Sequence, residues 1–436
     1  MSQKKPIELP RVHGKKWLKA KLPQGQQDWT LGRPSEADDE YQQQALQDAL
    51  LCATQNGKWH WPKRQIYFIT DPHADADAFV ESLVASGGVR KTGPKAEHFK
   101  LSRKGEQGLF IIGGDCLDKG PSNLRLLAVI RLLLDKTDRV RLLAGNHDMR
   151  LLMGLRSLQL PADPRTDHFF VRMSPKVVPL LKEVYERYLQ DGEALKNSPH
   201  TKECRRQLYP SRSWFEDFPP HAEWVMPQQT IERETGKLQR KMQRFETVCG
   251  NAGLTLRMAH AAAMKCKQLF MEPDGEFYWF FSSMRLAYKA GSLLFIHAGV
   301  DDRVTAMIEQ RGVRHINHLY RHQVKNDLFE FYYGPIANSL RTKYRPTDMP
   351  LSEIGVDHLH QNGIKMIIHG HRNRRTGQRL MLREGLLHVE CDTTMDSHSR
   401  SKEGLRGRGA GVTIIRPEGQ ILGICSDYHS TKVFAP

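Results

Sequence analysis

Five short stretches of the chain end in residue types that bind metal ions. "TDPHADAD" presents Asp71 and His73, and on an extended chain side chains at i and i+2 point the same way. "GGDCLDKG" presents Asp115, followed by Asp118 and Lys119, beside glycines that let the backbone turn sharply and leave room next to it. "AGNHDMR" presents Asn146 and His147, "FIHAGV" presents His297, and "IIHGHRN" presents His369 and His371. One histidine at the end of an apolar run is usually a satisfied polar group, and "GNHD" alone reads as a turn. Five such tips in succession read as one site. Carboxylate, imidazole and amide donors suit manganese, iron or zinc better than the all-oxygen shell of calcium. The donors exceed what one ion takes, and a carboxylate between two ions about 3.5 Å apart is the standard device for hydrolysing phosphate esters.

Each tip follows an apolar run: "RQIYFIT", "GLFIIGG", "RVRLLAG", "GSLLFI" and "IKMII". Helical patterns, "ADAFVESLVASGG" and "NLRLLAVIRLLLDK", separate the first three, so the order strand, polar tip, helix, strand predicts an α/β architecture. The segment 151–290 differs. It carries long helical patterns with proline-rich breaks such as "FEDFPPHAEWVMPQ", and reads as a helical insertion. Residues 1–60 read as a basic extension, with Trp17, Leu18 and Trp29 able to dock on the body, followed by a helix. That helix opens near Ser35 and carries its apolar face on Leu46, Leu50 and Leu51. The expected organisation is therefore extension 1–60, first catalytic half 61–150, insertion 151–290 and second catalytic half 291–436. The last half closes with a hairpin at Pro417–Gly419.

The net charge of +16 over 436 residues favours anionic partners and says nothing of fold. Seven scattered cysteines without a CxxC pair argue against a disulfide framework or a structural zinc, and point to reduced thiols in a cytoplasm. The basic start lacks the apolar core of a secretory signal. No apolar run is long enough for a bilayer, so no membrane partner is expected.

Taken in order, DPH, GDCLDKG, GNHD, HAG and GHR resemble the signature of the calcineurin-like metallophosphoesterase superfamily. The DKG after Asp118, the HAG, the single Gly370-His371 and the strand "LLHVECDTT" are most similar to its phosphoprotein-phosphatase-like branch. That branch contains bacterial and Shewanella-like protein phosphatases and symmetrical diadenosine tetraphosphate hydrolases. The resemblance implies a four-layer αββα sandwich, here with a large helical insertion. It implies two divalent ions, manganese first and iron or zinc as alternatives. Asp71, His73 and Asp115 would hold one ion, and Asp115, Asn146, His297 and His371 the other, with His369 a supporting neighbour. His147, oriented by Asp118, would be the general acid, and a water shared by the ions the nucleophile.

Lys119 stands where the family carries arginine and offers charge without a bidentate fork. Arg341, then Arg345, is the candidate for a second phosphate clamp. Arg372 opens the basic run "HRNRRTGQR", which reads as a rim facing a polyanion. The insertion reads as a lid or specificity cap, and Trp214, Trp224 and Trp279 within it as packing rather than base-stacking residues. The implied substrates are phosphate monoesters or phosphoanhydrides, borne by a small molecule, a nucleotide, a nucleic acid or a phosphoprotein. The alternative is a catalytically inactive nucleic-acid- or partner-binding protein on the same fold, and the full set of donors speaks against it.

Overall fold

The alternation of side chains along four short strands decides the layering. In Ile66–Ile69, Tyr67 and Ile69 join one apolar core while Ile66 and Phe68 join another. Leu109–Ile112, Leu293–Ile296 and Met366–His369 divide in the same way, with Leu109, Ile111, Leu293, Phe295, Met366 and Ile368 in the second core. A strand apolar on both faces must be covered on both. The second core lies between two sheets, where Phe68 and Phe295 meet with ring centroids 5.6 Å apart. The first core lies between the sheets and their helices.

The structure is a computed structural model and describes residues 7–32, 40–55, 57–190 and 192–436; Ser35 lies outside them. Its strands are β1 Gly25–Asp28, β2 Ile66–Ile69, β3 Val89–Lys91, β4 Phe99–Leu101, β5 Leu109–Ile112, β6 Val140–Leu142, β7 Ala287–Ala290, β8 Leu293–Ile296, β9 Met366–His369, β10 Arg379–Arg383, β11 Leu386–Glu390, β12 Gly411–Arg416, β13 Gln420–Cys425 and β14 Ser430–Phe434. One sheet has the order β1-β14-β13-β12-β2-β5-β6, the other β10-β11-β9-β8-β7, and β3 pairs with β4 alone. Strands β2, β5 and β6 run parallel, as do β8, β9 and β11. Their carboxyl ends therefore deliver all five polar tips, which is where open α/β sheets hold ligands.

Helices follow where the sequence caps them. The Asp75 side chain accepts from the amide of Ala78 to start Ala76–Ala85, and Ser122 accepts from Arg125 to start Asn123–Lys136. Among the described residues, every regular element from Asn146 to Ser282 is helical. Leu181, Phe245 and Phe270 from that stretch share one core with Phe79 and Leu127, so it packs as an extension of the helical layer.

Three details depart from the sequence reading. Pro219 and Pro220 do not break the chain but lie inside the helix Trp214–Ala222. Trp214, Phe218 and Ala222 form a buried stripe at i, i+4 and i+8 that outweighs the two lost hydrogen bonds. On the helix Glu40–Gln55, Leu46 and Leu50 pack while Leu51 faces solvent. Residues 25–28 also do more than dock: β1 extends the larger sheet beside β14, and Trp29 is buried next to it.

Candidate functional site

The loops after β2 and β5 zip together beyond the sheet. The amides of Asp71, His73 and Ala74 donate to the carbonyls of Gly114, Asp115 and Cys116 at 3.1, 3.0 and 2.6 Å. Asp71 and His73 are thus not on an extended strand: their φ values are 56° and 41°. Asp115, Asp118, Lys119 and His371 also have positive φ, at 53°, 71°, 68° and 67°. Each such backbone costs about 1–3 kcal/mol and persists where surrounding structure forces it. Six of the ten positive-φ non-glycine residues among those described are sequence-predicted site residues. The glycines serve close approach between loops. A Cβ on Gly145 would collide with the amide and carboxylate of Asp115, and one on Gly370 with the carboxylate of Asp71.

Asp115 is the hub. It is 2% exposed, and its Oδ1 accepts from the amide of His147 at 2.8 Å. His73 Nε2, His147 Nε2 and His297 Nε2 lie 3.9, 3.8 and 3.5 Å from its oxygens. Asp71 Oδ1 is 3.9 Å from His73 Nε2, and Asp71 Oδ2 accepts from the hydroxyl of Thr70 and the amide of His371. Asn146 and His147 begin the helix Asn146–Ser157 directly after β6. His371 stands beside His297, ring centroids 5.1 Å apart. Two donor groups result, His73–Asp115–His147 and Asp115–His297–His371.

The residues fit divalent cations. His297 Nδ1 donates to the carbonyl of Gly113 at 2.8 Å, and His73 Nδ1 to that of Leu117 at 3.3 Å, which turns both Nε2 lone pairs inward. His297 Nε2 then faces Asn146 Oδ1 at 3.2 Å and Asp115 Oδ1 at 3.5 Å, an acceptor among acceptors. His371 Nε2 is buried without a hydrogen-bond partner. Such an arrangement is satisfied by positive charge. The protein's own groups show the same demand: burial pushes the His297 imidazole down, but the facing Asp115 overrides it and raises the pKa to about 10. Burial and the Lys119 ammonium push His73 down to about 3, keeping it neutral.

His147 is set differently. Its Nδ1 donates to Asp118 Oδ2 at 2.8 Å. Asp118 is fixed by a chain of contacts absent from the sequence motifs. Its amide donates to Asn123 Oδ1, and Glu183 of the helix Val178–Tyr188 accepts from Ser122 Oγ, the Asn123 amide and side chain, and the Leu124 amide. Asp148 reaches back from its helix so that Oδ1 accepts the amides of Cys116 and Leu117 at 3.0 and 3.1 Å. Asp148 was visible as the last letter of GNHD; Glu183 and Lys176, whose Nζ lies 3.4 Å from His147 Nε2, had no sequence signal.

The predicted phosphate clamps fall in varied places. Lys119 Nζ lies 2.7 Å from His73 Nε2, inside the cluster. Arg341 donates to the carbonyls of Tyr332 and Ala337 and lies over the Tyr332 ring, and Arg345 pairs with Asp348 at the surface. Arg372 donates to Glu390 at 2.8 Å, as Arg379 does, and Arg374 pairs with the same carboxylate. Most of "HRNRRTGQR" thus folds inward, because β11 ends in a buried acid. His369 likewise turns from the cluster toward His388, ring centroids 5.6 Å apart. Trp214 is buried on Phe218 and Trp279 is half-buried, whereas Trp224 is 92% exposed.

Residues 64–245 match the calcineurin-like phosphoesterase family. This match supports a metal-dependent hydrolase acting on phosphate esters. Among solved structures it is similar to the cold-active protein-tyrosine phosphatase of a psychrophilic Shewanella species, at 12% identity over 93% of this chain and 90% of that one, with a TM-score of 0.42. It is also similar to a protein serine/threonine phosphatase from Saccharomyces cerevisiae that resembles human phosphatase PP5, at 13% identity over 86% and 81%, with a TM-score of 0.36. No curated protein matches it in sequence. Among the described residues, no helix is long and apolar enough to cross a membrane.

Proposed function

We propose that the chain hydrolyses phosphate monoesters or phosphoanhydrides with two divalent cations, manganese foremost. Asp71, His73 and Asp115 would hold one, and Asp115, Asn146, His297 and His371 the other. When bound, the cations would polarise the phosphoryl group and supply a nucleophile from water at neutral pH. The chain's own residues do the rest. His147, held by Asp118, presents Nε2 toward the leaving oxygen and passes it a proton. Lys119 draws the phosphoryl oxygens by charge.

The observation that supports this reading best is the convergence of three imidazole nitrogens on Asp115 with the His371 Nε2 left unpaired beside them. Purified protein with manganese should hydrolyse p-nitrophenyl phosphate, and EDTA should stop it. Undiminished turnover in Asp115→Asn would refute the reading.

A further inference from the structure

Arg150 and Lys176 lie beside His147, Lys119 reaches the neighbouring His73, and Lys241 shares the field of Arg150 and Lys176; among the described residues none of the four has a carboxylate within ion-pair distance. Arg150 sits one turn past His147 on the same helix. Lys176 comes from the loop before Val178–Tyr188, and Lys241 from the helix Gln228–Asn251, where its Nζ donates to the carbonyl of Arg172. Lys176 feels the like charges of Arg150 and Lys119, and Lys241 those of Arg150, Arg172 and Lys176. The acids whose charge they feel are engaged elsewhere: Asp118 holds His147, Asp115 faces the imidazoles, and Glu234 pairs with Arg172 and Lys237. Like charges held together without a carboxylate in ion-pair contact are costly, and an arginine flanked by lysines is what recognises phosphate.

Their position says which phosphate. Lys176 Nζ is 3.4 Å from His147 Nε2, the nitrogen that faces the leaving oxygen in the reaction proposed above. One bond beyond that oxygen lies the leaving group. We infer that Arg150, Lys176 and Lys241 form a second anion subsite that binds a phosphate carried by the leaving group, so that phosphoanhydrides are the preferred substrates. The inference rests on the reading of His147 as the residue at the leaving oxygen.

In the reaction the water oxygen forms a bond to the attacked phosphorus. The bond from phosphorus to the bridging oxygen breaks with its electron pair on that oxygen. His147 passes its proton there and is reprotonated from solvent, one water proton stays on the new phosphate and the other goes to solvent, and the departing phosphate is held by the three cations. The lid-like helical segment, which supplies Lys176 and Lys241, would thus select substrate by charge rather than by shape. An inorganic polyphosphate and a nucleoside polyphosphate both carry this chemistry.

The test has a binding arm and a kinetic arm. Metal-free protein in EDTA is titrated calorimetrically with orthophosphate, inorganic tripolyphosphate and diadenosine tetraphosphate. Tripolyphosphate should bind at least tenfold tighter than orthophosphate. That advantage should fall at least tenfold in Lys176→Met and in Arg150→Met, and persist in Lys176→Arg. Tighter binding of diadenosine tetraphosphate than tripolyphosphate assigns a nucleotide source, and the reverse an inorganic chain. Equal binding of orthophosphate and tripolyphosphate, or an advantage that survives both Met variants, overturns the subsite. With manganese, the ratio of kcat/KM for tripolyphosphate to that for p-nitrophenyl phosphate should exceed one and drop at least tenfold in Lys176→Met; an equal loss on both substrates overturns it. If p-nitrophenyl phosphate is not hydrolysed at all, the phosphoesterase reading fails, and the binding arm still decides the subsite.

Discussion

Asp115 and Glu390 are both buried acids beyond or at the carboxyl ends of parallel strands, and they are surrounded in opposite ways. Glu390 is saturated: Arg372 and Arg383 reach Oε1 at 2.8 and 2.6 Å, and Arg379 and Arg374 reach Oε2 at 2.8 and 2.5 Å. Asp115 accepts one close hydrogen bond, from the His147 amide, and its remaining neighbours are imidazole nitrogens at 3.5–3.9 Å. Guanidinium groups close a carboxylate with short, directed bonds and leave it nothing to coordinate. Imidazoles whose other nitrogen is committed to a backbone carbonyl leave a lone pair pointing inward. One acid is spent on cohesion and the other is kept for chemistry.

Substitution should separate the two roles. The largest effect is expected at Asp115, where Asn removes the charge around which both donor groups converge. Manganese-dependent p-nitrophenyl phosphate hydrolysis should fall by roughly 10³-fold or more, equivalent to about 4 kcal/mol of transition-state stabilisation. The thermal midpoint of the metal-free protein should hold or rise. A collapse of folding in Asp115→Asn would erase the distinction from Glu390.

Glu390→Gln should do the reverse. Removing one partner from a buried charge cluster costs about 3–5 kcal/mol, read from urea unfolding, because four guanidinium groups lose their counter-charge. Burial alone would raise the Glu390 pKa, but His369 and the arginines hold it well below the ordinary glutamate value. A folded-state pKa below the unfolded one makes the contribution complete above about pH 4.3 and progressively lost as pH falls further. Wild-type protein should therefore shed its advantage over Glu390→Gln on acidification below that point. A constant gap from pH 7 to pH 3 would contradict this account.

A smaller effect is expected at Glu183, which touches neither acid. Glu183→Ala frees Ser122, Asn123 and Leu124, and through Asn123 loosens the Asp118 amide. Turnover should fall by about 10-fold, within the 10–100-fold range of residues that orient a site from behind. KM for p-nitrophenyl phosphate should move little. A loss of stability with unchanged kcat would make Glu183 only a helix cap.

The contrast also marks what the sequence carries. The polar tips were legible because each follows a strand of two-faced apolar character, and because metal-binding residue types are few. Both properties are local. The surroundings of the tips were not local. Positive φ at Asp71 and His73 arises from pairing with the loop after β5, some forty residues on. Pro219 and Pro220 read as a break because local propensity says so, and tertiary burial of Trp214 and Phe218 reverses it. Glu390 was one letter in "LLHVECDTT", and nothing near it announces that it gathers arginines from β10 and from the loop before it. The basic run therefore looked like a rim, although most of it faces inward.

Arg375 provides the smallest and sharpest test of that point. It neighbours Arg374 in the same run, yet its side chain is 66% exposed and among the described residues it pairs with Glu403, at 3.0 Å. Exposed pairs are worth about 0–1 kcal/mol, since water and side-chain entropy offset most of the attraction. Arg375→Ala should change the unfolding free energy by less than about 1 kcal/mol, whereas Arg374→Ala should cost more, because it leaves Glu390 one guanidinium short in a buried setting. Equal costs for these adjacent residues would mean that the cluster around Glu390 is no tighter than a surface pair, and that exposure rather than the buried acid sets the strength of the basic run.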